Sequence, residues 1–317
     1  MTRKFRELPS AIISGILFAC LLLLATGTAH CEEPLFPPAL TRWVADPEKP
    51  VFEALGSGTW EARIRERGWI IRDAEGWKLW YTGYRGERAD EKHLGLATSK
   101  DGIHWIRHPG NPVIGDAWVE DVCVIHHDGT YQLFCEGVGD RAQRWTSPDG
   151  INWTHQGPLQ IFRTNGEPIS EGPYGTPTVY VEDGVWHLFY ERRDLGIWLA
   201  KSTDLVRWEH VQDDPVLVPG PGDYDRDQIA LNQIVKLDGR YFAVFHGSKR
   251  PDTVGTPSLW ATGLAVSDDL VHWTKYSGNP LRPVSENKSS GQLVHDGQRW
   301  LLYTLHDKVF RHVPEAP

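Results

Sequence analysis

The chain is poor in sulfur, with four cysteines and one methionine in 317 residues. One cysteine, Cys20, lies in an apolar leader. The remaining three, Cys31, Cys123 and Cys135, are an odd set and give little support to a disulfide framework. Long basic runs are missing and the net charge is −9, which argues against nucleic acid or an anionic membrane as the main partner. Ala11 to Ala25 is apolar but too short for a comfortable membrane span. His126 and His127 are adjacent, so on a strand they face opposite ways and do not form a metal pair. No cofactor and no metal is expected. What the chain has in excess is tryptophan, with 15 residues. Most are expected to be buried packing residues.

The N-terminus has the three parts of an export signal. Arg3, Lys4 and Arg6 form a basic start, the apolar run follows, and Gly27-Thr28-Ala29 fits a cleavage site. Residues 1–29 are therefore expected to be a signal peptide and residues 30–317 a single domain, secreted or periplasmic, without a membrane span after cleavage. The oligomeric state is not legible.

A repeat of about 55 residues organises the rest. An aromatic strand reads Lys78-Leu79-Trp80-Tyr81-Thr82-Gly83, returns as Gln132-Leu133-Phe134-Cys135-Glu136-Gly137, and then as His187-Leu188-Phe189-Tyr190-Glu191. Weaker copies are Phe242 to Gly247 and Trp300 to Tyr303. After the first four copies comes Ser-x-Asp-x-x-x-Trp, at Ser99, Ser147, Ser202 and Ser267. The Asp of this signature is expected to accept backbone hydrogen bonds in the turn before the fourth strand. Asp128-Gly129, Asp183-Gly184, Asp238-Gly239 and Asp296-Gly297 are hairpin pairs joining first and second strands. Four hairpinned strands per repeat predict an all-β, five-bladed β-propeller. Its last unit lacks a fourth strand. Trp43 and Pro50 reproduce the Trp-to-Pro spacing that units one, three and four show at Pro112, Pro215 and Pro280, so Trp43 is expected to start the missing strand and close the ring. With a two-residue turn at Asp128-Gly129, Cys123 faces Phe134 and points away from Cys135, which disfavours a bond; a three-residue loop would put both on one face.

These motifs, above all Trp80-Tyr81-Thr82-Gly83 and Leu94-Gly95-Leu96-Ala97-Thr98-Ser99 running on to Trp105, resemble the five-bladed β-propeller glycosidases, which include glycoside hydrolase families 32, 43, 68, 117 and 130. The resemblance covers residues 40 to 313. The Asn-Asp-Pro and Arg-Asp-Pro signatures of the invertase-like group are not reproduced, since Arg72-Asp73 lacks the proline and Cys135-Glu136 reverses the Glu-Cys order.

In such a propeller, residues just before the innermost strands line an axial funnel. Aligned on the hairpins, Glu61, Asp116, Glu171, Asp225 and Glu286 fall near equivalent places, with gaps of 55, 55, 54 and 61 residues. A ring of carboxyls suits glycoside cleavage, which needs one protonated and one ionised member. The resemblance implies a base from the first blade, a modulating acid from the third and a proton donor from the fourth: Glu61, Glu171 and Asp225. Asp121 and Asp227 are substitutes close by. Substrate contacts are expected from Asp116, Asp121, Trp118, Arg85, His93, Tyr174, Arg192 and His246.

The expected function is an exported glycoside hydrolase acting on oligo- or polysaccharide, inverting by resemblance. A glycoside phosphorylase, using Arg192, Arg193, Lys249 and Arg250 for phosphate, and a non-catalytic carbohydrate-binding propeller are the competing readings.

Overall fold

The computed structural model describes residues 35–87, 89–251, 253 and 255–316. The expected signal peptide, residues 1–29, and Cys31 lie outside them.

Five antiparallel sheets form a five-bladed propeller. Blade I comprises Trp69–Asp73, Gly76–Tyr84, His93–Ser99 and Trp105–Arg107, with the short piece Arg63–Ile64 pairing the far end of its second strand. Blade II comprises Glu120–His127, Thr130–Gly137, Arg141–Ser147 and Thr154–Pro158. Blade III comprises Gly175–Glu182, Val185–Glu191, Ile197–Ser202 and Arg207–His210, edged by the parallel strand Gln160–Phe162. Blade IV comprises Gln228–Leu237, Arg240–Lys249, Leu259–Ser267 and Thr274–Lys275. Blade V takes Gly291–His295, Trp300–Leu305 and Val309–Pro314 from the end of the chain.

Its fourth strand is Trp43–Ala45, which pairs in register with Pro314, Val313 and His312. The ring therefore closes as the Trp-to-Pro spacing indicates. Arg282 Nη1 donates to the Trp43 carbonyl (2.7 Å), and Arg311 pairs with Asp46 (2.7 Å). The Trp43 indole is buried among Phe242, Leu264, Leu293 and Leu302, so blades IV and V share it.

Three of the four Asp-Gly hairpins behave as their sequences require, whereas Asp296-Gly297 lies in a four-residue loop, Asp296 to Arg299, with positive φ at Gly297 alone. Asp128-Gly129, Asp183-Gly184 and Asp238-Gly239 all have positive φ at both residues, the two-residue turn that matches strand twist. Cys123 lies opposite Phe134, and Cys123 and Cys135 are free, buried thiols. The Ser-x-Asp turns are equally literal. Ser147 Oγ donates to Asp149 Oδ1 (2.9 Å), which accepts the N–H groups of Ile151 and Asn152 (2.9 and 2.8 Å). These bonds, that of Asn152 first, hold Asp149 well below the usual carboxylate range. The same contacts recur at Asp101, Asp204 and Asp269. The turns also join blades: Trp80 Nε1 donates to the Gly150 carbonyl (2.9 Å) and Tyr303 Oη to the Gly102 carbonyl (3.1 Å).

Around the axis the inner edges of the sheets converge, and their free backbone groups need partners. Side chains supply them. The Gln292 amide exchanges two bonds with Ile70 (2.8 and 2.9 Å), tying blade V to blade I. The Gln233 amide does the same with Leu293 (2.9 and 2.7 Å), tying blade IV to blade V. Between blades II and III the Val179 N–H donates to Cys123 Sγ (3.4 Å).

Arg67 makes the widest set of links. Its N–H donates to Leu305 O (2.8 Å) in blade V, and its carbonyl accepts Val122 N–H (3.1 Å) in blade II. Its Nη2 donates to Thr178 Oγ1 (2.8 Å) and Pro177 O (3.2 Å) in blade III. Thr178 Oγ1 passes its own proton to Leu231 O (2.8 Å) in blade IV.

Deleting residues 40–50 is expected to destabilise the whole domain. Trp43→Ala alone is expected to cost about 3–5 kcal/mol. Urea denaturation measures both, and parent-like midpoints would contradict the closure.

Candidate functional site

A cavity of about 930 Å³ opens where the inner strands begin and the second strands end. Two structural repeats furnish it. The first is one position on each second strand: Thr82, Glu136, Glu191, His246 and Thr304. Each sits opposite the corresponding third-strand residue, Leu94, Ala142, Ile197, Thr262 and Phe310. All five are buried, and Glu136, Glu191 and His246 line the cavity. The second repeat is a left-handed residue two positions before the partner of the second-strand aromatic. Arg67 (φ 57°), Asp121 (φ 53°) and Thr176 (φ 49°) occupy it in blades I, II and III. Backbone in this region is costly for non-glycine residues and persists where its surroundings enforce it. The irregularity turns Asp121 and Thr176 into the cavity wall.

Gly175 shows how tightly the carboxyls are set. A Cβ there would stand 2.1 Å from Glu136 Oε1 and 3.0 Å from Glu191 Oε1, so one oxygen of each carboxyl lies against this glycine. Glu136 Oε1 accepts the N–H and, at 3.0 Å, the hydroxyl of Thr176. Burial pushes Glu136 well above the carboxylate range, and the charges of Asp121, Glu120 and Glu191 add to this. Burial likewise pushes Asp121 up to about 8, with Arg67 opposing and Glu120 and Glu66 assisting. Glu191 is pushed up to about 7 by burial and by Asp194. Asp194 is raised by burial, against the hydrogen bond it accepts from Gln228 (2.7 Å). Burial thus favours the protonated form of each of these carboxyls.

His246 is the complement. Burial, then Arg67 and His306, push it well below its ordinary range. Its Nδ1 lies 3.0 Å from Asn232 Oδ1, which makes Nδ1 the donor of a neutral ring and leaves Nε2 as acceptor. Trp260 stands edge-on to it with centroids 5.0 Å apart and also lines the cavity. Glu120, beneath the wall, accepts from Arg65 Nε (2.9 Å) and Trp118 Nε1 (2.8 Å). Glu120, Glu136 and Asp140 bring ligand atoms within 4.8 Å of one another. Glu120 has both oxygens engaged and Glu136 has one on Thr176, so hydrogen-bond donors already occupy much of the group.

The structure separates the sequence-derived residues. Asp121 and His246 line the cavity. Glu61 and Asp225 do not. Each is fully buried in an ion pair with the outer strand of its own blade, Glu61 with Arg107 Nε and Asp225 with Lys275 Nζ, both at 2.6 Å. The two cations hold the same register, opposite Ala97 and Ala265. Gly83 and Gly247 let the acids tuck in: a Cβ on them would come within 2.9 Å of Glu61 Cβ and 2.3 Å of Asp225 Cβ. The near-equal spacing of these acids therefore records a structural repeat.

In blade III the matching second-strand residue is Arg192, not glycine. Its guanidinium donates to Pro173 O, Ser170 O, Ser170 Oγ and Glu171 O, and the Glu171 side chain is left exposed. Asp116 and Arg85 are exposed and outside the cavity lining. Trp118 braces Glu120, with Lys92 4.4 Å above its ring. His93 packs on Trp60, and Tyr174 donates to Leu159 O (3.3 Å); neither lines the cavity. Asp227 pairs with Arg226, and Glu286 with Arg282 and Lys288. Glu136, Glu191 and Asp194 were missed. A signal was present: glutamate stands twice at one position of the buried, aromatic-rich second strand.

No protein-family profile matches the chain. A 1,2-beta-oligomannan phosphorylase of Thermoanaerobacter sp. (strain X514) is 26% identical over 170 residues, 49% of this chain and 53% of that relative, so the match spans about half of each. Among solved structures, a protein of Parabacteroides distasonis assigned as a glycoside hydrolase superposes with a TM-score of 0.71 at 17% identity, covering 88% of this chain and 97% of the other. The beta-1,2-mannobiose phosphorylase of Listeria innocua, in complex with beta-1,2-mannobiose, superposes with a TM-score of 0.61 at 16% identity, covering 86% and 94%. The chain shares the fold of the five-bladed propeller glycoside hydrolases and phosphorylases, and these neighbours are carbohydrate-active enzymes.

Two outcomes follow. Glu61→Gln and Asp225→Asn are expected to cost stability, about 3–5 kcal/mol each for a broken buried pair, which denaturation measures. Glu191, raised from 4.5 to about 7, favours the fold fully below pH 4.5, and that contribution is lost as pH rises through 7. Asp121, raised from 3.8 to about 8, acts in the same direction. The melting temperature is expected to fall between pH 5 and 8, and Glu191→Gln to flatten the fall; calorimetry across pH checks it.

Proposed function

We propose that the protein cleaves a glycosidic bond of an oligo- or polysaccharide by carboxyl acid–base catalysis, with water as acceptor. The carrying observation is the group of buried carboxyls, Asp121, Glu136 and Glu191, on the wall of one open cavity. Glycoside cleavage needs a protonated acid for the leaving oxygen and an ionised partner for water or for the sugar carbon. Glu191, poised near neutrality, suits the donor, because proton transfer is most effective when the donor's affinity matches the working pH. Asp140 is exposed on the same cavity lining and suits the ionised partner. His246 Nε2 can accept a sugar hydroxyl, and Trp260 offers a ring face. The basic, apolar and small-residue segments at the N-terminus support export.

Phosphorolysis is the second reading, and a specific observation favours it. Arg63 and Arg193 line the cavity, and among the described residues neither forms an ion pair. The partial relative named as an oligomannan phosphorylase points the same way.

Product release from a panel of plant, algal and 1,2-linked mannan oligosaccharides, with and without phosphate, separates the two. Hydrolysis predicts reducing ends without phosphate; a strict phosphate requirement with sugar phosphate as product would replace it. Glu191→Gln and Asp140→Asn are each expected to lower turnover by about 10²–10⁴-fold. Parent-like rates in both would remove them from the chemistry.

A further inference from the structure

We propose that blade III carries a second carbohydrate site: a small pocket on the far side of the strand that bears Glu191, where Tyr190, Ser170, Arg163 and Trp198 hold one sugar residue of the substrate away from the bond that is cleaved. The inference rests on the reading that the protein acts on an oligo- or polysaccharide.

The pocket has a volume of about 280 Å³ and shares no lining residue with the cavity described above. That is just under the span of small-molecule sites, roughly 300–1,000 Å³, and suits a single ring better than a chain. Its place follows from the strand Val185–Glu191. Successive residues of an extended strand face opposite ways. Glu191, and Arg193 just beyond the strand, line the cavity, whereas Tyr190 and Arg192 line the pocket. One strand end divides the two hollows, so a chain of sugars lying across it reaches both.

The polar wall of the pocket is a relay of three side chains. Asp213 accepts from the N–H (3.1 Å) and the hydroxyl (2.9 Å) of Thr164, and lies 3.0 Å from His210 Nδ1. These bonds, that of the Thr164 N–H first, hold Asp213 down at about 2, so it is ionised and His210 Nδ1 is the donor. His210 Nε2, 2.5 Å from Tyr190 Oη, is then the acceptor of the phenolic proton. Among the described residues nothing donates to Tyr190 Oη in return, so its lone pairs are free for a ligand hydroxyl. Ser170 has the reverse polarity. Its Oγ accepts from Arg192 Nη1 (2.8 Å), which leaves its own proton to donate.

Arg192 fixes this wall, because its Nη2 donates to the Ser170 and Glu171 carbonyls (2.9 and 3.0 Å) and its Nε to Pro173 O (3.1 Å). The exposed Arg163 stands 3.6 Å from Asp213, which offsets its charge and leaves further N–H donors at the mouth. Trp198 supplies the apolar part. Its Nε1 donates to Asp213 O (2.9 Å), and its half-buried ring stacks on Tyr190 with centroids 6.3 Å apart. An acceptor, several donors and an aromatic ring around one hollow match a sugar, which presents hydroxyls at its edge and C–H groups on its faces.

Fluorine NMR of the full chain labelled with fluorotryptophan reads the two hollows separately, through Trp198 in the pocket and Trp260 in the cavity. Trp198→Phe and Trp260→Phe give the assignments. The probes are the methyl glycosides of mannose, galactose, arabinose and glucuronic acid, titrated to about 100 mM, enough to fill a millimolar site. At least one is expected to move the Trp198 resonance along a saturating curve. Tyr190→Phe, which removes only the hydroxyl, is expected to weaken that binding roughly three- to tenfold, the effect of one hydrogen bond, while the Trp260 curve stays in place. A Trp198 resonance that no probe moves overturns the proposal, and so does a folded Tyr190→Phe with parent affinity at Trp198. Should that variant not fold, Arg163→Ala, at an exposed position, decides in the same assay, and parent affinity overturns the proposal equally. Glu191→Gln with parent turnover refutes the catalytic reading instead, and leaves the Trp198 titration standing.

Discussion

The convergence of five inner strands on one axis is the constraint on which the rest of the structure depends. Each inner strand has a free edge facing the axis, and a buried backbone group without a partner is expensive. The chain meets this with side chains that imitate or replace a ladder: the amides of Gln233 and Gln292, the thiol of Cys123 and the guanidinium of Arg67. Arg67 is the densest of these nodes, since it bonds directly to three other blades and reaches the fourth through Thr178. A charge is thereby buried at the centre.

The cavity grows out of the same constraint. Inner strands that begin with an irregular, left-handed residue leave room above the axis and turn Asp121 and Thr176 into it. Second strands carry Glu136, Glu191 and His246 toward it at one shared position. Burial then does the chemical work. It raises the three carboxyls above their ordinary range and lowers His246 below its own. Proton-holding carboxyls beside a solvated one are the usual means of breaking a glycosidic bond.

Much of the fold was legible because its signals are local. Asp-Gly pairs dictate their turns through positive φ, and the Ser-x-Asp turns through two backbone hydrogen bonds. The alternation around Cys123 and Phe134 fixed their faces. Trp43 could be assigned to the last blade because the spacing to Pro50 repeats that of the other units. The site was read less well. Glu61 and Asp225 recur at the spacing of the blades, but they recur because Gly83 and Gly247 admit them beneath a cation on the outer strand. Glu171 follows the same spacing and is turned to solvent, because Arg192 fills the place of the glycine.

What the sequence by itself determined is therefore the repeat: strand order, turns, blade number and the closure of the ring, each set by bonds and dihedral preferences within a few residues or by a periodic pattern. Only the tertiary structure decided which acids face one another. Spacing along the chain does not distinguish a carboxyl neutralised within its blade from one aimed at the axis. That distinction depends on which side chain of another strand, arginine, lysine or glycine, occupies the space beside it, and on how completely water is excluded there.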